Sequence, residues 1–137
     1  MNTKTIGERT EAKVLAALLQ VYPTVLVPFG ENQRYDFVFE DLKGEFQRVQ
    51  CKTGKITNGA IVFWLNSVIT IKGQNIHRPY QGEIDFFGVS CSGLPDVYLV
   101  PIDLVGVGSC SLRIDPPKRT NNNVNWAKDY LIYSPCG

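Results

Sequence analysis

Asp36, Gln50 and Lys52 are the residues of this chain whose types and spacing suit chemistry as a group. Residues 46–52, Phe-Gln-Arg-Val-Gln-Cys-Lys, read as a strand that ends on polar residues. Alternate strand residues share a face, so Gln50 and Lys52 point one way and Val49 and Cys51 the other. Upstream, Tyr35-Asp36-Phe-Val-Phe-Glu40 is rich in aromatic and branched residues and is a second strand candidate. The five residues between, Asp41-Leu-Lys-Gly-Glu45, supply a hairpin loop with a glycine. If they are the whole loop, Glu40 faces Phe46 and Asp36 faces Gln50, and opposed residues share a face. A slip of one residue would undo the grouping.

A carboxylate and a side-chain amide oxygen are hard ligands suited to Mg²⁺, which also accepts phosphate oxygens. A lysine beside them can orient or help deprotonate a water and oppose the charge of a phosphate. The other reading is an amphipathic hairpin with a solvated polar face, and the spacing alone leaves both open.

The elements around the hairpin must position these groups. Thr5-Ile-Gly-Glu8 fits a capping box with Thr5 as N-cap, opening a helix over residues 5–20. Its apolar stripe runs through Val14, Leu15, Leu18 and Leu19. Glu11 falls on the centre line of that stripe, where a carboxylate must be paired, hydrogen-bonded or metal-linked. Alternatively the first turns overhang the core and Glu11 is solvated. Glu8, by contrast, is accounted for by the cap. Tyr22-Pro23 ends the helix. Residues 24–29 form a strand, placed at a sheet edge by Pro28. Residues 30–34 are a loop whose Asn32 and Arg34 either touch a phosphate or hold the site together.

With 137 residues the chain is expected to be one domain, residues 1–137, with a real hydrophobic core. Fourteen Lys and Arg stand against 13 acids, a balance that neither demands nor excludes nucleic acid. Four cysteines without a CxxC pair and a single histidine argue against zinc. Cys51 and Cys91 lie in strand-like runs and are expected to pack as small apolar residues. The N-terminus lacks a signal peptide's apolar run and no segment could span a bilayer, which makes a reducing cytoplasm the default and excludes a membrane partner.

Further on, residues 54–59 read as a turn carrying Lys55, 60–65 as a buried strand and 67–72 as another. Residues 73–82 are either a DNA-contacting loop, with His77 and Arg78 near phosphates and Tyr80 packing, or a plain surface loop. Residues 84–91 and 97–102 are neighbouring strands, with Asp85 structural. Residues 115–125 are a loop with Lys118 and Arg119, suited to phosphates and base edges or simply a surface turn, and 126–132 are a short helix.

The succession Gly7-Glu8…Glu11, Val27-Pro28-Phe29, Asn32…Tyr35-Asp36 and Arg48-Val-Gln-Cys-Lys-Thr53 resembles the PD-(D/E)xK nuclease superfamily, over about the first 60 residues. Within it the chain looks like the homing endonucleases of cyanobacterial group I introns, and more distantly like archaeal Holliday junction resolvases. The resemblance implies an α/β, restriction-endonuclease-like core, a mixed central β-sheet of about four strands flanked by α-helices. It implies metal-assisted hydrolysis of phosphodiesters in double-stranded DNA, with one or two Mg²⁺ per site and Mn²⁺ as a substitute. Carried over by residue, Asp36 is the motif aspartate that ligates metal, Lys52 the motif lysine and Glu11 the helix-one glutamate. Gln50 stands where most members have Asp or Glu; the intron-encoded branch itself has glutamine there. Tyr35 replaces the motif proline. Arg34, Lys55, His77, Arg78, Lys118 and Arg119 are the expected DNA contacts. Two further functions share the resemblance: a junction resolvase, and a DNA-binding module that lost catalysis at Gln50. The intron-encoded relatives assemble as tetramers, so a homo-oligomer, dimer or tetramer, is expected, with its interface in the apolar second half of the chain.

Overall fold

The computed structural model describes residues 2–106, 108–117 and 124–132. Lys118 and Arg119 therefore lie outside the described residues, as does Cys136.

The chain opens with helix α1, Thr3–Val21. Its N-cap is Asn2, whose side-chain oxygen accepts from the Thr5 N–H at 2.8 Å, and not the expected Thr5. Asparagine is as good a cap as threonine, and starting there brings Thr3, Lys4 and Thr5 into the helix. The buried face is Thr10, Val14 and Leu18, with Leu15 half-buried and Leu19 about half exposed. The stripe thus lies to one side of the expected line, and Glu11 sits at its exposed margin, not its centre.

After Tyr22 the chain enters a short strand, β1 (Val25–Leu26), at the sheet edge. The strand expected over 24–29 stops there: Pro28 has no N–H to give, and Val27 and Phe29 are exposed. β2 (Phe37–Glu40) and β3 (Phe46–Thr57) then form the expected hairpin in the expected register, with Glu40 opposite Phe46 and Phe37 opposite Val49. The loop is tied by Asp41, whose carboxylate accepts from the Lys43 and Glu45 N–H groups at 2.9 Å each. An aspartate closing its own loop this way leaves little room for a register slip.

β3 is longer than the sequence suggested. It runs through the supposed turn at residues 54–57 and reverses only at Asn58-Gly59, both at positive φ (50° and 75°), into β4 (Ala60–Trp64). That is the Asn-Gly signature of a two-residue hairpin. Lys55 is accordingly a strand residue, exposed on β3. A separate two-stranded hairpin follows, β5 (Asn66–Ile71) and β6 (Gln74–Pro79), exposed along all of β6. Most of the expected 73–82 loop is therefore β6. The rest of the main sheet comes from β7 (Phe86–Cys91), β8 (Val97–Pro101) and β9 (Ser109–Arg113), the last unassigned from sequence although its burial alternates strictly. Ala127–Tyr130 is a short 3₁₀ turn in place of the expected helix.

β3 organises the sheet. Residues 46–49 pair antiparallel with β2, 49–54 parallel with β7, and 55–57 antiparallel with β4. The sheet forks along one strand, leaving residues 50–54 between the parts held by β2 and β4. One face buries Val14 and Leu18 of α1 against Phe37, Phe39, Val49 and Cys51. The other buries Ile61, Phe63, Tyr80, Ile84, Phe87 and Val89. α1 lies close to β7 because Gly88 has no side chain; a Cβ there would fall 2.8 Å from a Val14 methyl and 3.0 Å from a Val49 methyl. Cys51, Cys91 and Cys110 are buried and unpaired. No described helix is long and apolar enough to cross a membrane.

Candidate active site

The fork in β3 is where polar groups collect. Asp36 stands one residue before β2, with its N–H donating to the Val49 carbonyl at 2.8 Å. Its Oδ2 accepts the Cys51 N–H at 2.8 Å, so a carboxylate takes the place of the next ladder partner just where β2 ends. The two bonds hold Asp36 across from residues 49–51 of β3, just past the last β2–β3 pair, Phe37 with Val49, on a strand whose next polar side chains are Gln50 and Lys52. Gln50 is half-buried and its amide nitrogen leans toward the Cys51 carbonyl at 3.4 Å, which leaves the amide oxygen as the outward group.

Helix α1 delivers Glu11. It is pinned to the sheet by a part-buried hydroxyl pair, buried Thr10 with exposed Thr53 at 2.7 Å, and by Lys13, whose Nζ donates to the Leu94 carbonyl at 2.8 Å. Glu11 and Asp36 line one cavity of about 200 Å³ with Val27, Pro28, Glu31 and Tyr35. The loop after β1, too irregular to be a strand, forms its other wall.

The electrostatics mark both acids. Burial raises the Asp36 pKa above the ordinary carboxylate range, against the lowering by its hydrogen bonds to Cys51 and by the Lys52 charge. Glu11 is raised too, by partial burial first and then by the charges of Asp36 and Glu8. A half-buried acid with a second acid beside it, each raised by burial, is costly to hold ionised unless a cation neutralises the pair. Among the described residues no group of three or more His, Cys, Asp or Glu comes together. The oxygen donors at hand are the carboxylates that line the cavity, Glu11, Asp36 and Glu31, and the Gln50 amide on the neighbouring strand, with no sulfur: the Cys51 thiol is buried in the core and pushed strongly upward by desolvation and by Asp36. These are donors for a hard divalent cation that completes its shell with waters and phosphate oxygens, and the residues fit such an ion.

Lys52 is half-buried, and its pKa is lowered by burial and then by the Arg34 charge, with Asp36 opposing. Its Nζ lies 4.8 Å above the centre of the Tyr80 ring and 3.5 Å from the Tyr80 hydroxyl.

The expected DNA contacts are dispersed. Arg34 is occupied within the chain: it pairs with Glu83 at 2.6 Å, bonds the Ser67 hydroxyl and the Pro79 carbonyl, and stacks on Tyr80. Of the two alternatives for Arg34, holding the site together describes these contacts. Arg78 on exposed β6 reaches the other oxygen of Glu83 at 3.0 Å, and His77 is exposed beside it. Lys55 alternates to the opposite face of β3 from Lys52. Sequence reasoning did not single out Glu83 or the Thr10–Thr53 pair. Their partners lie 43 or more residues away for Arg34 and Thr10, and no local pattern announces them.

Comparison with known proteins agrees with this geometry. The model of a family described as PD-(D/E)XK endonuclease matches residues 1–133. The chain is also similar to a solved bacterial homing endonuclease, I-Ssp6803I, with 25% sequence identity and a TM-score of 0.73, over 96% of this chain and 89% of that one. No curated protein sequence matches it.

Proposed function

Because the chain belongs to the PD-(D/E)XK endonuclease family, we propose that it is a Mg²⁺-dependent endonuclease that hydrolyses phosphodiester bonds of double-stranded DNA, acting at specific sites as a homing endonuclease. Its α/β fold, a mixed sheet with α1 packed on one face, is the family's. The observation that carries the finer reading is the replacement of a ladder bond by the Asp36 carboxylate at the fork of β3, beside Gln50 and Lys52 and sharing a cavity with Glu11. A carboxyl whose pKa is raised by burial, set in a cavity with a second acid, is a functional-site candidate.

In this reading Asp36, Glu11 and the Gln50 amide oxygen hold the cation, which when bound supplies Lewis-acid stabilisation of the charge developing on the phosphate. Lys52 orients the attacking water through Nζ. Burial and the Arg34 charge lower its pKa, which favours the neutral amine relative to a free lysine. As the new O–P bond forms, the opposite P–O bond breaks and its electron pair leaves with the departing oxygen. Tyr80 holds Lys52 against its ring and keeps the amine from swinging away. Gln50 in place of an acid lowers the negative charge of the cage by one, which leaves Glu11 the larger share of holding the ion.

A duplex has two backbones and this chain carries one such site, so cutting both strands is simplest for a symmetric homo-oligomer, dimer or tetramer. Trp64 (70% exposed) and Leu104 (55%) in the second half of the chain are suited to such an interface.

The test is cleavage of a randomised linear duplex pool and of a four-way junction, with Mg²⁺ or with EDTA. We expect Mg²⁺-dependent cuts in duplex at recurring sequences, no cuts in EDTA, and loss of cleavage by Lys52→Ala with DNA binding largely kept, because affinity is spread over many phosphate contacts. Preference for the junction would make the chain a resolvase. Duplex binding without cleavage under any metal would make it an inactive DNA-binding module. If Lys52→Ala loses binding and fold together, Lys52 is structural.

A further inference from the structure

Two cations share one aromatic ring beside the site. The Arg34 guanidinium lies 3.9 Å from the Tyr80 ring centre, and Lys52 Nζ lies 4.8 Å from the same centre. Tyr80 is packed on its other side: it is 4% exposed and meets Phe87 edge-on with centroids 5.6 Å apart. Arg34 is fixed as firmly. Its side chain is 17% exposed, its Nε pairs with Glu83 at 2.6 Å, and its two terminal nitrogens donate to the Ser67 hydroxyl and to the carbonyls of Pro79, at 2.8 Å, and Arg78, at 3.2 Å. Those acceptors are the two ends of the β5–β6 hairpin, at the paired positions Ser67 and Arg78 and the residue after. Arg78 meets the same glutamate at 3.0 Å, so one carboxylate bridges the hairpin and the arginine.

A guanidinium that spends its donors on the hairpin base and on a glutamate has little left for a phosphate. Its flat face remains, and that face is on Tyr80. The ring in turn bounds the space open to the Lys52 amine. We propose that Arg34 is a positioning residue: clamped by Glu83 and the base of the β5–β6 hairpin, it fixes the Tyr80 ring and through it the place of the Lys52 amine. The inference rests on the reading of Lys52 as the group that serves the attacking water. It assigns Arg34 to the chemical step and not to DNA affinity, and it makes the exposed hairpin mechanically continuous with the site.

Two measurements test it, the first needing neither DNA nor metal. Lysines of the intact chain are reductively dimethylated with ¹³C, and the Lys52 methyl resonance is identified by its absence in Lys52→Ala. Lying over a ring, it should be displaced from the other lysines by ring current. Tyr80→Leu should return it to their range, Arg34→Leu should shift it part of the way, and Glu83→Gln, which is nearly isosteric and keeps the fold if Arg34→Leu does not, should shift it less in the same direction. The second is single-turnover cleavage of duplex with Mg²⁺, alongside duplex affinity with Ca²⁺ in its place. Arg34→Leu should lower the cleavage rate by about 100-fold, the scale of a misplaced catalytic group, with affinity changed by less than about threefold. Tyr80→Phe, which keeps the ring, should recover most of the rate that Tyr80→Leu loses. A Lys52 resonance indifferent to Arg34→Leu and Glu83→Gln overturns the proposal, as does a loss that falls on affinity while the rate is kept. If the wild-type chain cuts no DNA, the nuclease reading fails and the resonance alone decides whether Arg34 positions Lys52.

Discussion

Asp36 and Asp85 each accept a main-chain N–H of β3, from Cys51 at 2.8 Å and from Arg48 at 2.7 Å, yet their carboxyls are pushed in opposite directions. Burial raises both. At Asp85 the Arg48 side chain, the Arg48 N–H and the Arg48 charge together outweigh it, and the pKa is lowered. At Asp36 the Cys51 bonds and the Lys52 charge do not, and the pKa stays raised. The same backbone bond therefore serves two ends. Asp85 is a finished latch: it ties the start of β7 to β3, and its own carbonyl receives the Ile102 N–H at 2.9 Å. Asp36 is held in position with its charge only partly answered by the Cys51 bonds and by Lys52, and a cation supplied from solution is what would complete it.

The comparison can be broken first by activity. Asp36→Asn keeps the size of the side chain and should cut the cleavage rate by about 100- to 1,000-fold, the scale of losing one electrostatic element of a site. Asp85→Asn should leave the cleavage rate of the folded protein within a few-fold of wild type. Equal losses at both would mean that the latch, too, belongs to the chemistry.

Stability sharpens it, with a smaller effect and the opposite ranking. Asp85→Ala leaves the Arg48 N–H and guanidinium unanswered and should destabilise the fold by about 1–2 kcal/mol in urea unfolding, moderated because both side chains are about one-third exposed. Its pH dependence follows from the sign of the shift. A folded pKa below the unfolded value of about 3.9 gives stability that is present above 3.9 and lost as pH falls through the folded value. The deficit of Asp85→Ala against wild type should therefore close in strong acid. Asp36 and Glu11 run the other way: raised in the fold, they favour the folded state below the unfolded carboxylate pKa, and that advantage is lost as pH rises through the folded pKa. In EDTA, Asp36→Asn should thus be at least as stable as wild type at pH 7, with the gain shrinking toward pH 4.

The hairpin that positions Asp36 was legible in the sequence; Asp85 was read as structural, but its pairing with Arg48 was not legible. The register that pairs Phe37 with Val49, and so brings Asp36 to the end of β2, follows from a five-residue loop whose first residue closes it, a local device. Glu11 was singled out from a stripe drawn too far round the helix; Leu19 is exposed because α1 turns Val14 and Leu18, not Leu19, onto Val49 and Cys51. The continuation of β3 to Thr57 was concealed by Gly54, which reads as a turn in sequence. In the fold it is a strand residue whose Cβ would meet Ile61 at 2.5 Å, so glycine is there for close packing and not for bending. The Arg48–Asp85 latch and the Arg34–Glu83 clamp join residues 37 and 49 apart, across elements whose order in the sheet no periodicity gives. Charges placed by topology stay silent in a sequence until the topology is known.

The most direct measurement of the central claim is the melting temperature of wild type, Asp36→Asn and Asp85→Asn as Mg²⁺ is titrated from EDTA into the millimolar range, at constant ionic strength. Binding to the folded state alone raises stability with ligand concentration. The account predicts that Mg²⁺ raises the melting temperature of wild type and of Asp85→Asn by a similar amount, and that Asp36→Asn, starting no lower than wild type in EDTA, does not respond. A wild type indifferent to Mg²⁺, or an Asp36→Asn that responds as fully as wild type, would contradict it.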